Sequence, residues 1–581
     1  MYAPHAPRSA AWITYAIFFV ICIIIARLSY LQIYLNHLLH AQSERNYLRT
    51  EYIKPQRGNI RDINGKLLAT NQPTIHVQWY GTGQYRLTQE QRNTLEELSA
   101  ILDIPLHTES EKHSDICRAE RWGKTCTLAR EISFEQLSKI KEQFPLNQNI
   151  SLCFDFKRYY PYKKYACHLL GYLGSLDVQL VGKMGLEKLF HDRLEGEYGQ
   201  IIKTINSTGK SLAQKELKKA LSGIDIQTTI DIDIQSIAET VFPHDRSGTF
   251  IIMDPANGYI NALVSRPNFD PSIFLNPISA DEWNALQEER PFINRAFNAE
   301  YPPGSIFKLI STAAALEEGL IEPDTTWNCK GYVWCGKRKF WCNRRFGHNE
   351  ISTLESLAQS CNTMFYQVGK KLDIDTIADY AQRFGLSKKT GIMLREKTGF
   401  IPTRSWKRTM KGEPWWLGET LSVMIGQSYL LATPIQIARM IGSIFTGTLV
   451  TPHILAQEPI NTMPLELKES TRAFLKKSMK KVVTKGTGRR LKQLSDITIY
   501  AKTSTAQTSS LEKRKLGEKH LEHGWFVGYF MYKGQSPRVI VVLAEHAGSA
   551  RVPTSIAKDF FVEYKKHIDR IYPTPQINAF A

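Results

Sequence analysis

Acidic residues are scarce in this 581-residue chain: 56 aspartates and glutamates face 74 lysines and arginines, a formal charge of +18 at pH 7. That balance suits a polyanion, whether nucleic acid, anionic lipid or an anionic polymer. No nucleic-acid motif accompanies it, however, and the cations are spread over stretches such as 157–164, 215–219 and 476–492. They read as solvated faces rather than one dedicated polyanion site. Long hydrophobic runs are equally scarce. Residues 11–26 form an uncharged, mostly apolar run that stays largely apolar beyond Arg27 to residue 35, long enough for one transmembrane helix. No small-residue cleavage site follows closely, and Trp12, Tyr15, Tyr30 and Tyr34 stand where interfacial aromatics would, so the run reads as an uncleaved anchor. Arg8 alone precedes it while Arg45, Arg49 and Lys54 follow, and this charge distribution does not orient it. The remainder, in a chain 43% apolar and 22% charged, is ordinary globular sequence, too long for one core, so at least two domains are expected.

What is present is a serine and a lysine set one helical turn apart. In Tyr301-Pro302-Pro303-Gly304-Ser305-Ile306-Phe307-Lys308, the prolines and glycine end a loop, and residues 309–316 read as a buried, alanine-rich helix. Ser305 then stands in the first turn with Lys308 on the same face, where its amine can reach the hydroxyl. A lysine kept neutral by burial can take the proton of a serine nucleophile. Alone, the pair is equally an N-cap serine followed by a solvated lysine. Two more triplets argue against that: Ser360-Cys361-Asn362 and Lys502-Thr503-Ser504, followed by Thr505. S-x-x-K, S-x-N and a K-T-G-like triplet in this order are the set used by acyl-serine enzymes that bind penicillin.

On these motifs the chain resembles the class B penicillin-binding proteins, membrane-anchored peptidoglycan D,D-transpeptidases, and most of all their elongation-type members. The stretch from Arg57 to Ala69, with Gly58, Asp62, Gly65 and Leu68, is similar to the opening of the pedestal domain in that family. Locally it reads as a hairpin turning at Asn64-Gly65, its leading strand carrying Arg57 and Asp62. Arg158-Tyr159-Tyr160-Pro161, the 168–174 segment, Gly185-Leu186-Glu187 and Leu194-Glu195-Gly196 resemble further pedestal motifs, none with the look of catalysis. Residues 87–146 have helical periodicity and many charges. The implied organisation is a tail at 1–10, the anchor at 11–35, an elongated pedestal (dimerisation-type) domain at 45–222, a transpeptidase domain at 223–570 and a tail at 571–581. Apolar runs paired around turns at 255–258 and 533–537, with helical stretches between, predict an α+β catalytic domain: an antiparallel sheet covered by helices.

Carried over by motif, the resemblance implies that Ser360 relays a proton to the leaving amine and Asn362 holds the substrate backbone. Lys502 and Thr503 would bind the terminal carboxylate of a D-Ala-D-Ala stem, and the amides of Ser305 and Thr505 would face the oxyanion. Lys502 adds a charge expected to help keep Lys308 neutral. The strand at 497–508 should form one edge of the cleft. Ser504 replaces the usual glycine, and its side chain is expected to crowd substrate along that edge. The basic segment 511–523, with Lys513, Arg514, Lys515 and Lys519, would overhang it.

There are nine cysteines. Cys329, Cys342, His348 and Cys361 are spaced C-x12-C-x5-H-x12-C, with Cys361 inside the S-x-N triplet and Cys335 a substitute ligand. A Cys3His set suits structural zinc; a disulfide is the rival reading. The resemblance to elongation-type relatives, with metal ligands in the same loop, favours zinc. Cys117 with Cys126 and Cys153 with Cys167 are candidate pairs, free thiols the alternative. No organic cofactor is expected.

The implied protein is a single-pass inner-membrane enzyme with its catalytic domain in the periplasm, cross-linking stem peptides and acylated by β-lactams. No glycosyltransferase motif is visible, so a RodA-type polytopic glycosyltransferase is the implied partner. A D,D-carboxypeptidase or serine β-lactamase carries the same triplets but needs no pedestal. A scaffold that activates the glycosyltransferase without acylating is the non-enzymatic alternative, opposed by the intact serine, lysines and asparagine.

Overall fold

The computed structural model describes residues 8–106, 110–145, 147–176, 179–205, 211–507 and 517–573. Residues 1–7 of the tail expected at 1–10, Lys513, Arg514 and Lys515, and the end of the chain from 574 lie outside them. The chain packs as two compact units, Met1–Gly58 with Asn71–Lys157 and Glu195–Ile224, and Asn59–Thr70 with Arg158–Leu194 and Asp225–Ala581.

In the first unit the apolar run is helical over Arg8–Ser29 and continues as a π turn to Tyr34. Its apolar stretch Trp12–Tyr34 spans 23 residues, none of that window buried, with Phe18, Phe19 and Ile23 bare. At 1.5 Å per residue this is about 34 Å, enough to cross a bilayer. Farther on, Leu48–Ile53, Gly199–Ile205 and Ser211–Lys218 form an antiparallel sheet. Helices Gln89–Leu102 and Phe134–Gln143 begin at capping boxes, Thr88 with Gln91 and Ser133 with Gln136. Between them, beside the helix Glu111–Arg121, Thr125–Ala129 is a strand, which helical periodicity did not announce.

In the second unit the hairpin at Asn64-Gly65 forms, with Gly65 at φ +85°. Its leading strand is only Ile60–Arg61, so neither Arg57 nor Asp62 lies on it. Asp62 instead builds the turn: its buried carboxylate accepts from the amides of Asn64 (2.9 Å) and Lys66 (2.7 Å) and from Ile232 N (3.2 Å). That last bond ties the hairpin to the first catalytic-domain helix, α1 (Ile232–Val241), which Asp231 caps. Residues 158–194 also pack in this unit, although the sequence boundary assigned them to the pedestal. The reason is apolar burial: Tyr160, Leu169, Leu170, Leu186 and Leu194 enter the same core as Ile226, Ile251 and Phe307.

The centre of this unit is a five-stranded antiparallel sheet of β1 (Gly248–Met253), β2 (Ile260–Arg266), β3 (Thr498–Ala506), β4 (His523–Met531) and β5 (Arg538–Ala544), in the order β2-β1-β5-β4-β3. Alternation sends Ile251, Val527, Val541 and Leu543 to one face, against α2 (Lys308–Glu317) and α4 (Pro434–Thr446). Phe250, Ile252, Phe526 and Val542 go to the other, against α1 and α6 (Arg551–Ile571). Two more helices, α3 (Asn362–Gly369) and α5 (Glu469–Lys485), complete the frame around the site. The domain is α+β, and β3 lies at the edge of the sheet.

Candidate active site

Pro302 and Pro303 lead into Gly304, held at φ +54° with its amide on Gly426 O at 2.9 Å. One 3-10 turn, Gly304–Ile306, carries the half-buried Ser305, and α2 starts at Lys308, which is fully buried. The Lys308 amine does not bond Ser305. It donates to Asn362 Oδ1 (2.6 Å) and Ser360 O (2.8 Å), with Cys361 O and Ser360 Oγ each at 3.3 Å. The S-x-N loop therefore holds the lysine, and α2 only presents it.

Ser360 sits at φ +56°, a left-handed conformation costly for serine and often found at functional sites. Its Oγ also accepts from Lys502 Nζ at 3.1 Å, which donates to Thr503 O at 3.0 Å. Two buried amines thus converge on one hydroxyl. Burial pushes Lys308 down to about 8, and the Cys361 and Cys342 sulfurs pull the other way. Lys502 is lowered well below the usual lysine range, by burial first and by Lys308 second. The help expected from Lys502 thus falls on Lys502 itself, while burial does the work at Lys308. Asn362 is locked in turn, its Nδ2 donating to Trp341 O at 3.2 Å.

Ser305, Ser360, Asn362, Thr503, Ser504 and Thr505 all line one open cleft of about 980 Å³. Its other lining residues include Arg338, Arg345, Arg489 and Arg551, and among the described residues Glu522 is the one carboxylate that lines it. Thr505 is exposed, and its Oγ1 accepts from Ala550 N at 3.1 Å. Ser504, expected to crowd that edge, has its side chain buried and turned toward Gly304.

One partner escaped the sequence reading. Thr487 Oγ1 meets Thr503 Oγ1 at 2.5 Å, from a loop after α5 that Gly486 lets settle on Ala358 O. Gly486-Thr487-Gly488 was the available signal, since flanking glycines mark close backbone approach.

Behind the S-x-N triplet, the donor atoms of Cys329, Cys342, His348 and Cys361 lie within 4.8 Å of one another. His348 Nδ1 is 3.4 Å from Cys329 Sγ and 3.6 Å from Cys342 Sγ, and Cys342 and Cys361 are 3.7 Å apart. That separation is far beyond the roughly 2.05 Å of a disulfide and close to the edge of a tetrahedron of thiolates about 2.3 Å from its centre. Three sulfurs and a ring nitrogen make a donor set that fits zinc. Cys335 is outside this group, and all nine cysteines are free thiols.

Residues 248–561, more than half of the chain, match the family described as the penicillin binding protein transpeptidase domain. The chain belongs to the class B penicillin-binding proteins. Residues 52–228 match the second family part, the penicillin-binding protein dimerisation domain. This penicillin-binding protein is a serine-type transpeptidase with an acyl-serine intermediate. It is 28% identical to the peptidoglycan D,D-transpeptidase MrdA of Acinetobacter baumannii, over 93% of this chain and 85% of that one. To its namesake from Escherichia coli K12 it is 27% identical, over 91% and 89%. Among solved structures it is similar to the Helicobacter pylori penicillin-binding protein PBP2 in complex with MreC (TM-score 0.74, 27% identity, 90% of this chain and 100% of that one). It is also similar to a chain in a structure on the coordination of polymerization and crosslinking by a peptidoglycan synthase complex (TM-score 0.75, 28% identity, 96% and 98%).

Proposed function

We propose that this penicillin-binding protein is a peptidoglycan D,D-transpeptidase of cell-wall elongation, with Ser305 as nucleophile. Ser305 Oγ attacks the penultimate D-Ala carbonyl of a stem peptide, and Lys308 takes its proton. Ser360, between the amines of Lys308 and Lys502, passes a proton to the nitrogen of the departing D-Ala. An amine of a neighbouring stem then attacks the ester carbonyl, forms the new amide and frees Ser305. The donor stem lies along the open edge of β3, its terminal carboxylate at Lys502 and Thr503, in a cleft whose cations favour an anionic substrate. The amides of Ser305 and Thr505 take the oxyanion. A β-lactam acylates the same serine.

The observation that carries this reading is the meeting of three separate sequence motifs on one hydroxyl, Ser360 Oγ, bonded by both lysines. Mixing the full-length protein with a pentapeptide stem ending in D-Ala-D-Ala and an acceptor amine should release one D-Ala per cross-linked product. Release without cross-linked product would make it a carboxypeptidase.

Cys329, Cys342, His348 and Cys361 would hold a structural zinc ion, whose four bonds would brace the loop bearing Ser360 and Asn362. The purified protein is expected to carry about one zinc per chain, and Cys329→Ser to lose most of it. Metal-free protein with full activity and an unchanged melting temperature would contradict the assignment. The apolar helix anchors the chain in the inner membrane with the catalytic unit in the periplasm, and glycan strands come from a RodA-type glycosyltransferase. Failure of the two to co-purify from detergent would remove that partner.

A further inference from the structure

Between Cys329 and Cys342 the chain folds back on itself as an antiparallel ribbon, Tyr332–Cys335 against Arg338–Trp341, in which Tyr332 faces Trp341 and Trp334 faces Lys339. Alternation divides its side chains between two faces. Val333, Cys335 and Phe340 turn to the domain and pack with Tyr366 of α3 and with Leu421. Tyr332, Trp334, Lys339 and Trp341 are left on the other face. There the Lys339 amine stands 4.7 Å from the centre of the Tyr332 ring, 4.9 Å from Trp334 and 5.5 Å from Trp341, and Arg345 lies over Trp341 at 4.3 Å. Neither cation has an ion-pair partner among the described residues. Trp334 is 50% exposed and Trp341 40%. Large rings gathered in water beside unpaired cations have the composition of a binding surface, not of a solvated face.

The place of the ribbon says what would cover it. Lys339, Trp341 and Arg345 also line the cleft of Ser305, so the aromatic face starts at the cleft's rim. A stem peptide held in the cleft is tethered to a polysaccharide, and that polysaccharide has to lie across a rim. One face of a sugar ring is a sheet of C–H groups that rests flat on an aromatic ring, while the carboxylates the strand carries suit cations. We propose that the ribbon is a glycan-binding platform: Trp334 stacks on a sugar of the strand whose stem enters the cleft, and Lys339 and Arg345 meet its carboxylates. The proposal rests on the transpeptidase reading above, which makes a peptidoglycan strand the substrate.

The probe is a peptidoglycan glycan strand stripped of its stems, titrated into the full-length protein in detergent and followed by calorimetry. Trp334→Ala is expected to weaken binding by about 5- to 10-fold, the worth of one stacked ring. Trp334→Phe, which keeps a ring, should retain most of the affinity, and Trp334→Leu, apolar without a ring, should lose it. Lys339→Gln is expected to bind more weakly at low salt, the difference closing as salt is added. Labelling of Ser305 by a penicillin, which carries no glycan, should be the same in all four variants and shows that each is folded. No strand binding by the unsubstituted protein, or equal binding by Trp334→Ala, would overturn the proposal. Unchanged strand binding in Trp334→Ala together with loss of the RodA-type glycosyltransferase on co-purification would also overturn it and give the face to a protein partner. Strand binding without any penicillin label would overturn the transpeptidase reading instead and leave the platform standing.

Discussion

Lys308→Met is expected to slow acylation by a penicillin about 1,000-fold while leaving a folded protein, because it removes the base and keeps the shape. With burial holding its amine at about 8, roughly a tenth of the Lys308 population is neutral at pH 7 and able to accept the serine proton. Methionine fills the same channel but donates nothing to Ser360 O or Asn362 Oδ1, so a stability loss of about 1–3 kcal/mol should accompany the kinetic one. Lys308→Arg should fail as well, since a guanidinium does not give up its charge near neutral pH. The measurements are the single-turnover labelling rate and the melting temperature of each variant. A rate within threefold of the original in Lys308→Met would move the base elsewhere.

The second large effect is on stability and lies away from the cleft. Arg158 Nε and Glu187 Oε1 form an ion pair at 2.7 Å with side chains 1% and 0% exposed. Removing Arg158 takes from the buried Glu187 carboxylate its counter-charge and leaves Tyr160 Oη at 3.4 Å among its partners, so Arg158→Met is expected to cost about 3–5 kcal/mol. The double variant Arg158→Met with Glu187→Leu should recover most of that loss, because an apolar pair has no charge to desolvate. Urea denaturation reads both. A cost below about 1 kcal/mol in the single variant would mean that the pair is hydrated. This pair also joins two of the pedestal-like motifs: Arg158-Tyr159-Tyr160-Pro161 and Gly185-Leu186-Glu187 are the two halves of one buried contact.

What could be read from the sequence was local. Pro302, Pro303 and Gly304 announce the turn before α2, Asn64-Gly65 announces its hairpin, and the apolar runs around 255–258 and 533–537 announce four strands of the catalytic sheet. Contacts between distant segments leave no periodic trace. Spacing put Lys308 on the face of Ser305, but its amine is taken by a loop more than fifty residues away. The same limit hid Thr487 beside Thr503 and the packing of residues 158–194 with the catalytic unit. Ser504 shows the limit most sharply. Alternation along β3 puts it on the face of Lys502, but only the folded chain brings Gly304 to that face, against the buried Ser504 side chain. The cysteine cluster was legible in part, because four ligand-type residues fell in one short region, whereas the exclusion of Cys335 needed coordinates.

The most direct test of the enzyme is the intact mass of the full-length protein after exposure to a penicillin, beside Ser305→Ala. One adduct per chain on the original protein, absent from the variant, is the predicted result. Labelling of Ser305→Ala to the same extent, or no adduct on the folded original protein, would contradict Ser305 as the nucleophile.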